Sequence, residues 1–334
     1  MNFWKVFLAA FLALIVFSVI SFFFFVGWIS ALAASDKVEV GHKAVLVVDL
    51  SMPFPEKMQD NPLADLGVEG QYDIPGLYDV VRLIDKAAKD SAVKGIYIKA
   101  NANNSGFSGS EEIRNAVTAF KQSGKFVYAY GDVISQKAYY VSSVADKIYC
   151  NPKGAVDWRG IALQMVFLKG TLEKLDIEPQ IFYAGKFKSA TEPFRETKMT
   201  EPNRIQTTEI ITDIYTHFLS RIAEARKIDS AMLRKYADEN AVQFAADALR
   251  LNMVDGLKYD DEVKEELKTI LKLGADANIN FVPLEKYAKA VNYRTTGRDR
   301  IAVIYAQGDI VYGKGQDGQI GSNTYVNLIR KART

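Results

Sequence analysis

The 334-residue chain contains very little cysteine and histidine, two residue types that are common in metal sites and catalytic centres. Cys150 is the only cysteine, which excludes an intramolecular disulfide and a CxxC-type metal site. His42 and His217 are the only histidines, which argues against a Ser-His-Asp triad and nearly rules out zinc sites built from several histidines. Any acid–base chemistry is therefore expected from carboxylates, tyrosines or lysines.

The chain also lacks an excess of charge of either sign. Its 42 Lys and Arg residues nearly balance its 40 Asp and Glu residues, so the composition gives no reason to expect a nucleic-acid partner. Hydrophobic residues make up 49% of the sequence, which is enough for a sizeable core. The length suits about two domains.

A long apolar run lies at the N-terminus, where residues 6–35 contain no charged side chain. Trp4 and Trp28 bracket most of this run, and a helix between them would be about 36 Å long. That length and the aromatic residues at both ends are typical of a helix that spans a bilayer. We therefore predict a membrane anchor over residues 1–36.

A cleaved signal peptide is the alternative interpretation of this run. Ala31-Leu32-Ala33 is a small-x-small sequence of the kind that precedes a cleavage site. However, the apolar run is far longer than the about 7–15 residues of a signal-peptide core, which favours an uncleaved anchor. Lys5 favours a cytoplasmic N-terminus, with the remaining chain outside the membrane.

Short apolar segments alternate with amphipathic ones over residues 40–290, and the pattern predicts an α/β domain with parallel strands. Strands are predicted at 43–54, 93–100 and 125–131, and helices at 76–90, 111–124, 200–226 and 262–274. Two further short helices are expected before the last of these. Thr200 is the expected N-cap of the long helix, with Pro202 in its first turn.

Two segments near the C-terminus repeat segments of the first domain in the same order. "RIAVIYAQGDI" at 300–310 has the character of "KAVLVVDLSMP" at 43–53, and "NLIRKA" at 327–332 echoes "RLIDKA" at 82–87. The second pair of segments is offset by 245 residues. This internal repetition predicts a second copy of the domain.

The repeat sets the expected domain boundaries. A polar linker is predicted at 291–299, and the second domain is expected to occupy 300–334. Because those 35 residues reach only the first helix of the repeat, we expect the chain to be truncated.

The segment "FYAGKFKSATEPFRETKMT" at 182–200 contains two lysines, Lys186 and Lys188, beside a glycine. A lysine acts as a general base near neutral pH only if burial or nearby positive charge lowers its pKa from about 10.4. Phe187, Phe194, Lys186 and Arg195 could supply that environment for Lys188. A solvated lysine in a basic loop is the alternative, and the run from Ser189 to Glu192 also fits a helix capping box.

Four stretches of the chain closely resemble the signal peptide peptidase A family in its long, two-domain (67K) form, also called protease IV. They are "GKFKSATEPF" (185–194), "MTEPNR" (199–204), the segment from "GDVISQ" to "DWRG" (131–160) and "IAVIYAQGDIVYGKG" (301–315). In that family the lysine of the K-S-A-x-E-P-F motif is the general base of a Ser/Lys dyad. The resemblance therefore implies that Lys188 is a catalytic base, in a mechanism that needs no histidine.

The family places its nucleophilic serine in the second repeat, within a motif that ends in Ser-Gly-Gly-Tyr and that this sequence does not reach. In the first repeat, "GDVISQKAYY" has Gln136 at the serine position and Lys137-Ala138 in place of the two glycines. Ser135 is one position out of register and is expected to be a loop or helix-cap residue rather than a nucleophile. The loop "SGFSGS" at 105–110 corresponds to the family's oxyanion loop, although a plain strand-to-helix connection is favoured here.

The resemblance implies a crotonase/ClpP-like α/β spiral with an N-terminal transmembrane helix. It implies a serine endopeptidase in the bacterial cytoplasmic membrane, with most of the chain on the extracytoplasmic side. Expected partners are the lipid bilayer, apolar peptides left over from signal-peptide cleavage and further copies of the chain in a tetramer, with no cofactor and no metal. Because the nucleophile is missing, we expect the 334 residues alone to be inactive.

Two alternatives to the peptidase stay open. The chain could be an anchored binding or scaffold module of the same fold that performs no catalysis. An acyl-CoA enzyme of this fold class is disfavoured by the anchor and by the peptidase motifs.

Two further motifs carry weaker signals. "GKGQDG" at 313–318 matches the GxGxxG pattern of dinucleotide-binding proteins, but the acidic ribose partner expected about 20 residues later cannot be assessed. Asp260-Asp261 is expected to lie in a solvated first helical turn, where acidic side chains interact favourably with the helix dipole, rather than in a metal site.

Overall fold

A computed structural model gives the fold over residues 3–33, 39–56, 75–293, 301–316 and 318–333. Its main body is a six-stranded sheet in which every pair of neighbouring strands is parallel. The strands are β1 (Ala44–Asp49), β2 (Val93–Lys99), β3 (Phe126–Ile134), β4 (Lys147–Val156), β5 (Gly256–Leu257) and β6 (Phe281–Pro283). They lie in the order β5-β4-β3-β2-β1-β6. The predicted α/β class with parallel strands is therefore confirmed.

Twelve helices are present among the described residues, and most of them connect or cover the strands. They are α1 (Phe3–Ala33), α2 (Leu77–Lys89), α3 (Phe107–Lys121), α4 (Gln136–Ser142), α5 (Lys169–Lys174), α6 (Glu192–Arg195), α7 (Glu201–Arg226), α8 (Ser230–Asp238), α9 (Ala245–Arg250), α10 (Asp260–Leu271), α11 (Leu284–Ala290) and α12 (Ser322–Arg333). Every predicted helix is found, including the two short ones, which are α8 and α9. The end of one strand and the start of the next parallel strand lie at opposite edges of the sheet. Parallel strands therefore need such crossover connections.

The larger core lies on one face of the sheet, where α2, α3, α4 and α7 pack. β1 is buried over its first five residues, which is typical of a strand that is covered on both faces. The apolar spacing of the long helix predicts that Ile211, Ile214, Phe218 and Ile222 share one face. In α7, Phe218 and Ile222 are buried in this core, whereas Ile211 and Ile214 are only half-buried.

The opposite face of the sheet is unusual because its core is built largely from tyrosines. Tyr97, Tyr128 and Tyr149 pack beneath α10, and their hydroxyl groups donate hydrogen bonds to carboxylates of that helix. Glu266 accepts from Tyr128 at 2.7 Å and from Tyr149 at 2.9 Å, and it pairs with Lys258. Burial alone would raise the pKa of Glu266, but these hydrogen bonds outweigh burial and lower it.

The N-terminal apolar run forms the single long helix α1, in agreement with the prediction of a helical anchor. Its segment Phe3–Phe25 has a mean hydropathy of 2.8 and no buried residues, so it is long and apolar enough to cross a membrane. A signal sequence at the N-terminus would satisfy the same two criteria. That α1 spans a membrane is therefore supported by its length and its composition.

The C-terminal residues only partly follow the prediction. The likeness of 300–310 to the first predicted strand predicts a strand there, which is wrong over 301–308, where there is no regular structure; among the described residues β7 (Asp309–Val311) pairs only with β8 (Gln319–Gly321). Ile301 is 92% exposed, because no described strand lies beside it to form a ladder. α12 begins 245 residues after α2, which matches the offset of the sequence repeat. Of the predicted linker at 291–299, only 291–293 lies within the described residues.

Candidate active site

Lys188 lies in an exposed turn between α5 and α6. Gly185, at φ +104°, begins the turn, and its carbonyl accepts a hydrogen bond from the Lys188 amide at 3.2 Å. The side chain of Lys188 is exposed, and within the described parts of the chain its ammonium forms neither an ion pair nor a hydrogen bond. This turn therefore presents a free amine at the surface of the domain.

A buried carboxylate holds the segment directly after this lysine. Glu192 is 1% exposed and accepts hydrogen bonds from the Thr200 backbone amide at 3.2 Å, from the Thr200 hydroxyl and from the Asn203 side chain at 2.8 Å. Arg195 lies 3.6 Å from the same carboxylate. Burial would raise the pKa of Glu192, but the hydrogen bonds and the arginine charge together lower it. We call Glu192, Arg195, Thr200 and Asn203 the glutamate clamp.

The clamp corrects the capping-box interpretation of the segment from Ser189 to Glu192. The N-cap position of α6 is Thr191, which makes no side-chain cap. The Ser189 hydroxyl instead accepts a hydrogen bond from Gln206 of α7 at 2.6 Å. A box needs the glutamate to reach back to its own N-cap, whereas this carboxylate reaches forward to the start of the next helix. Thr200 is the N-cap residue of α7 as predicted, although its hydroxyl belongs to the clamp.

The proposed environment of Lys188 is only partly assembled within the described chain. Phe182, Phe187 and Phe194 are 90%, 51% and 43% exposed, so they form an open apolar rim rather than a closed wall. The Arg195 guanidinium stacks on the Tyr183 ring at 4.0 Å and pairs with Glu192 and Glu196, so its charge is already engaged. These exposed rings leave a surface that a second domain can cover.

The exposed apolar surface continues on both sides of this turn. Nine further large side chains between α4 and the middle of α7 are at least 37% exposed: Ile161, Leu163, Val166, Leu168, Leu175, Ile177, Tyr183, Ile205 and Ile210. Residues 160–167 and 177–184 have no regular secondary structure. We call the region 160–210 the apolar arm. Contiguous exposed apolar surface of this kind marks an interaction site.

The position that corresponds to the family's nucleophile lies elsewhere and is built differently. Ser135 is the N-cap of α4 and accepts a hydrogen bond from the Ala138 amide at 3.3 Å, which confirms its expected cap role. The Gln136 side chain accepts a hydrogen bond from the Arg159 amide at 2.7 Å. Lys137 reaches the carbonyl of Ser105 at 3.2 Å. Structural hydrogen bonds thus occupy the side chains that stand where the family has serine and glycine.

The segment predicted as a loop at 105–110 is a loop only in its first two residues. α3 already begins at Phe107, with Gly106 as its N-cap, so the loop prediction is wrong for 107–110. Gly109 is not required for this early start, because a Cβ there would lie 3.4 Å from Leu77, an ordinary van der Waals distance. Asn103 donates to the Ser110 hydroxyl at 3.0 Å and to the Lys137 carbonyl at 3.1 Å, which joins this turn to α4.

The GxGxxG segment folds onto the start of its own helix. The Gly313 amide donates to the Ser322 hydroxyl at 3.0 Å, and the Asn323 amide donates to the Gly313 carbonyl at 2.9 Å. A Cβ on Gly321 would lie 2.0 Å from the Lys314 carbonyl oxygen, so the glycine is needed for close packing. The loop thus covers the N-terminus of α12, where a dinucleotide phosphate would otherwise sit.

The acidic pair Asp260-Asp261 lies in the first turn of α10, as predicted. Asp260 accepts from the Tyr97 hydroxyl at 2.9 Å and pairs with Lys264. Within the part of the chain that the structure describes, no group of three or more His, Cys, Asp or Glu residues is placed to hold a metal ion. The carboxylate pair thus supports the packing of α10.

Comparison with known proteins gives consistent matches. Residues 119–274, which run from the end of α3 to just beyond α10, match Peptidase family S49. The chain is 29% identical over 253 residues to the chloroplastic serine protease SPPA of Arabidopsis thaliana, covering 75% of this chain and 37% of that protein. The S49 match and the parallel sheet together bear out the predicted ClpP-like α/β fold.

Two bacterial proteins match over a similar range. The chain is 27% identical over 270 residues to Protease 4 of Haemophilus influenzae, covering 76% of this chain and 43% of that protein. It is 29% identical over 269 residues to Protease 4 of Salmonella typhi, covering 77% of this chain and 43% of that protein. The chain spans about two-fifths of the length of these curated relatives.

Proposed function

We infer, since the chain belongs to the signal peptide peptidase A family, that it supplies the general base of a serine peptidase. Lys188 is the base, and the nucleophilic serine belongs to the second domain, which begins near Arg300. The observation that carries this proposal is the turn around Lys188, where an exposed lysine side chain lies four residues before the buried Glu192 of the glutamate clamp and is accompanied by exposed apolar rings. A solvated structural lysine needs neither the clamp nor the apolar surface.

The exposed state of this turn fits a site that another domain completes. A covering domain would bury Phe182, Phe187 and Phe194 together with Lys188, and burial lowers the pKa of an amine towards the neutral range. The base would then take the proton of the serine hydroxyl and later deliver it to the leaving amine of the cleaved peptide. Gln136 and Lys137 explain why the first domain would lack a serine of its own.

The proposed substrates are apolar peptides, such as the remnants of cleaved signal peptides. The segments 160–167 and 177–184 have no regular secondary structure and carry exposed apolar side chains, which suits contact with an apolar peptide or with a neighbouring domain. α1 would anchor the protein in a bacterial cytoplasmic membrane, with the peptidase on the outer side. The family resemblance also implies a tetramer, in which the apolar arm would be one surface available for contact with another copy of the chain.

The test uses the protein encoded by the complete gene, including any residues encoded beyond Thr334, and measures cleavage of a fluorogenic apolar peptide. Lys188→Ala is expected to lower kcat by about 10²–10⁴-fold, the usual contribution of a positioned base. Lys174→Ala is the matched control, because this lysine on α5 is also exposed and is not among the residues proposed to tune Lys188. Melting temperatures of both variants report whether the fold is retained.

Two outcomes would contradict the proposal. If Lys188→Ala retains the activity of Lys174→Ala, the lysine is not the base, and the anchored scaffold becomes the better interpretation. If the 334-residue chain alone cleaves the peptide in a Lys188-dependent manner, the nucleophile is not in a second domain.

A further inference from the structure

Four neighbouring strands of the sheet each begin beside a lysine. Lys43 precedes β1, Lys94 is the second residue of β2, Lys125 precedes β3, and Lys147 is the first residue of β4. Because the strands are parallel, all four strand starts lie along one edge of the sheet. The register pairs Ala44 with Val93 and Gly95 with Phe126, which places the first three lysines level with one another.

Helices also bring positive charge to this edge, since a helix that connects two parallel strands ends where the second strand begins. α2 ends at Lys89 and α3 ends at Lys121, both at this edge. α10 ends at Leu271 and is capped by Lys272, which has φ +51°. We call Lys43, Lys94, Lys125, Lys147 and Lys272 the basic edge.

The charges of the basic edge are not neutralised by ion pairs. Lys43 donates to the Lys272 carbonyl at 3.0 Å, Lys94 to the Ser91 carbonyl at 2.8 Å, and Lys125 to the carbonyls of Ala87 and Asp90 at 2.7 and 2.6 Å. Counting only the described residues, none of the five lysines lies within 4.0 Å of a carboxylate oxygen. Basic side chains at helix C-termini are favourable in themselves, so this arrangement is stable without a ligand.

Two carboxylates lie close to these lysines, and both have other partners. Asp90 accepts hydrogen bonds from the Tyr287 hydroxyl and the Ala92 amide, both at 2.9 Å, and it attracts Lys125 electrostatically. Asp146 pairs with Lys121 at 2.9 Å and accepts from the Val127 amide at 2.8 Å. The edge as a whole therefore keeps a positive surface.

The opposite edge of the sheet has a different charge pattern. There Lys99 pairs with Asp49 at 3.4 Å, and Arg159 pairs with Asp157 at 2.7 Å. Asp132, near the end of β3, accepts from Tyr130 and Asn151. Lys99 and Arg159 at the strand ends are thus paired, and Lys153 near the end of β4 is an exposed lysine there, whereas, among the described residues, five lysines without ion pairs lie at the basic edge.

The chain coming from α1 joins the domain at the basic edge. β1 begins eleven residues after the end of α1, and an extended chain of that length reaches about 40 Å at most. Asn280, which precedes β6, donates to the carbonyls of Val40 and His42 at 2.8 and 3.3 Å and fixes the incoming segment to this edge. If α1 is anchored, the basic edge is held close to the membrane surface.

We propose that the basic edge binds the anionic phospholipid headgroups of the membrane that holds α1. The inference rests on the anchoring part of the proposed function. Each lysine near an anionic membrane surface raises the equilibrium constant for contact with that surface by about fivefold. The tether to α1 keeps the basic edge within reach of the surface. The strand ends, including the turn that joins Asn103 to α4, would then face away from the bilayer.

The test uses the full chain reconstituted in nanodiscs made of phosphatidylcholine, with or without phosphatidylglycerol. Cys150 is buried, so one added cysteine can be labelled selectively with a fluorophore. Ser123→Cys reports on the basic edge and Ser108→Cys on the opposite edge, and both positions are exposed. Quenching by lipids with spin-labelled headgroups measures the contact of each edge with the membrane.

The expected result is strong quenching at position 123 and weak quenching at position 108, only when phosphatidylglycerol is present. Lys94→Gln with Lys147→Gln is expected to weaken the contact equilibrium at least about fivefold. Lys153→Gln with Lys174→Gln removes the same charge from exposed lysines elsewhere and is expected to change nothing. Salt of about 1 M shortens the Debye length to about 3 Å and should abolish the contact.

Equal quenching in neutral and anionic nanodiscs would overturn the inference, because the tether alone would then explain the proximity. Equal effects of the two double variants would overturn it as well. A chain that washes off the nanodiscs contradicts the anchor itself, and both proposals about the membrane fall together. A chain that stays in the nanodiscs without quenching at position 123 overturns this inference and leaves the anchor intact.

Discussion

Removing the carboxylate of the glutamate clamp should loosen the turn that carries Lys188. In Glu192→Ala the Thr200 backbone amide and the Asn203 side-chain amide lose their acceptor in a buried place. Each buried donor left without a partner costs about 1–3 kcal/mol, so the two together cost about 2–6 kcal/mol. Water that enters the space left by the side chain would satisfy some of these donors and bring the measured loss of unfolding free energy towards the lower end of that range. Arg195 adds little, because Glu196 remains as its partner at 2.6 Å.

Glu192→Gln tests the contribution of the negative charge alone, because glutamine has nearly the same shape as glutamate. The glutamine oxygen can still accept from Thr200 and Asn203, and its amide can donate to the Thr200 hydroxyl. Only the charge assistance is lost, which is about 1–2 kcal/mol for two hydrogen bonds. The pKa of Glu192 is lowered in the folded state, so its contribution is present above the unfolded pKa of about 4.3 and is lost as the pH falls through the folded pKa. The wild-type advantage over Glu192→Gln should therefore be full at neutral pH and shrink in acid.

The assay combines urea unfolding with hydrogen exchange of peptides that cover residues 182–204. Glu209→Ala on the exposed surface of α7 is the matched control and is expected to change stability by less than about 0.5 kcal/mol. Glu192→Ala should lower the urea midpoint, or accelerate exchange in this segment alone if the turn opens independently of the core. The reasoning is refuted if Glu192→Ala matches Glu209→Ala in both measurements.

Three further predictions concern other parts of the domain. Glu266→Ala should destabilise the protein by about 1–3 kcal/mol in urea, because the tyrosine hydroxyls beneath α10 lose their acceptor; an unchanged midpoint would contradict this. Gly321→Ala should expose α12 to limited proteolysis, since its Cβ would collide with the Lys314 carbonyl, whereas Gly106→Ala has open space and should not. Burial raises the pKa of Cys150 to about 11, so native protein should resist alkylation until it is unfolded.

Hydrophobic periodicity predicted β1, β2 and β3 but not β4, which also lies inside the sheet. The three predicted strands are rich in Val, Ile, Leu or Tyr, and α2 follows helical spacing, so local pattern and tertiary burial agree there. β5 and β6 contain only two and three residues, which is too short for a periodic signal. The start of α3 was missed because "FSGS" has the composition of a loop.

The candidate site was harder to derive from the sequence. Lys188 stood out only through resemblance to a family, because a lysine beside a glycine is ordinary in a loop. Glu192 was assigned to a capping box, whereas its partners Thr200 and Asn203 lie eight and eleven residues further on. Local spacing cannot distinguish the two arrangements. A buried glutamate is defined by its tertiary partners, and these become visible only in the folded chain.

The position of β1 inside the sheet has a consequence for how the protein is made. One neighbour of β1 is β6, and the segment before β6 holds the chain at Val40 across 240 residues of sequence. At about 5–20 residues per second, a ribosome needs roughly 12–48 s to synthesise that interval. Throughout that time one side of β1 has unpaired backbone groups that can pair with other chains. A nascent chain of this kind therefore depends on a chaperone, or on slow closure after release, to escape aggregation during synthesis.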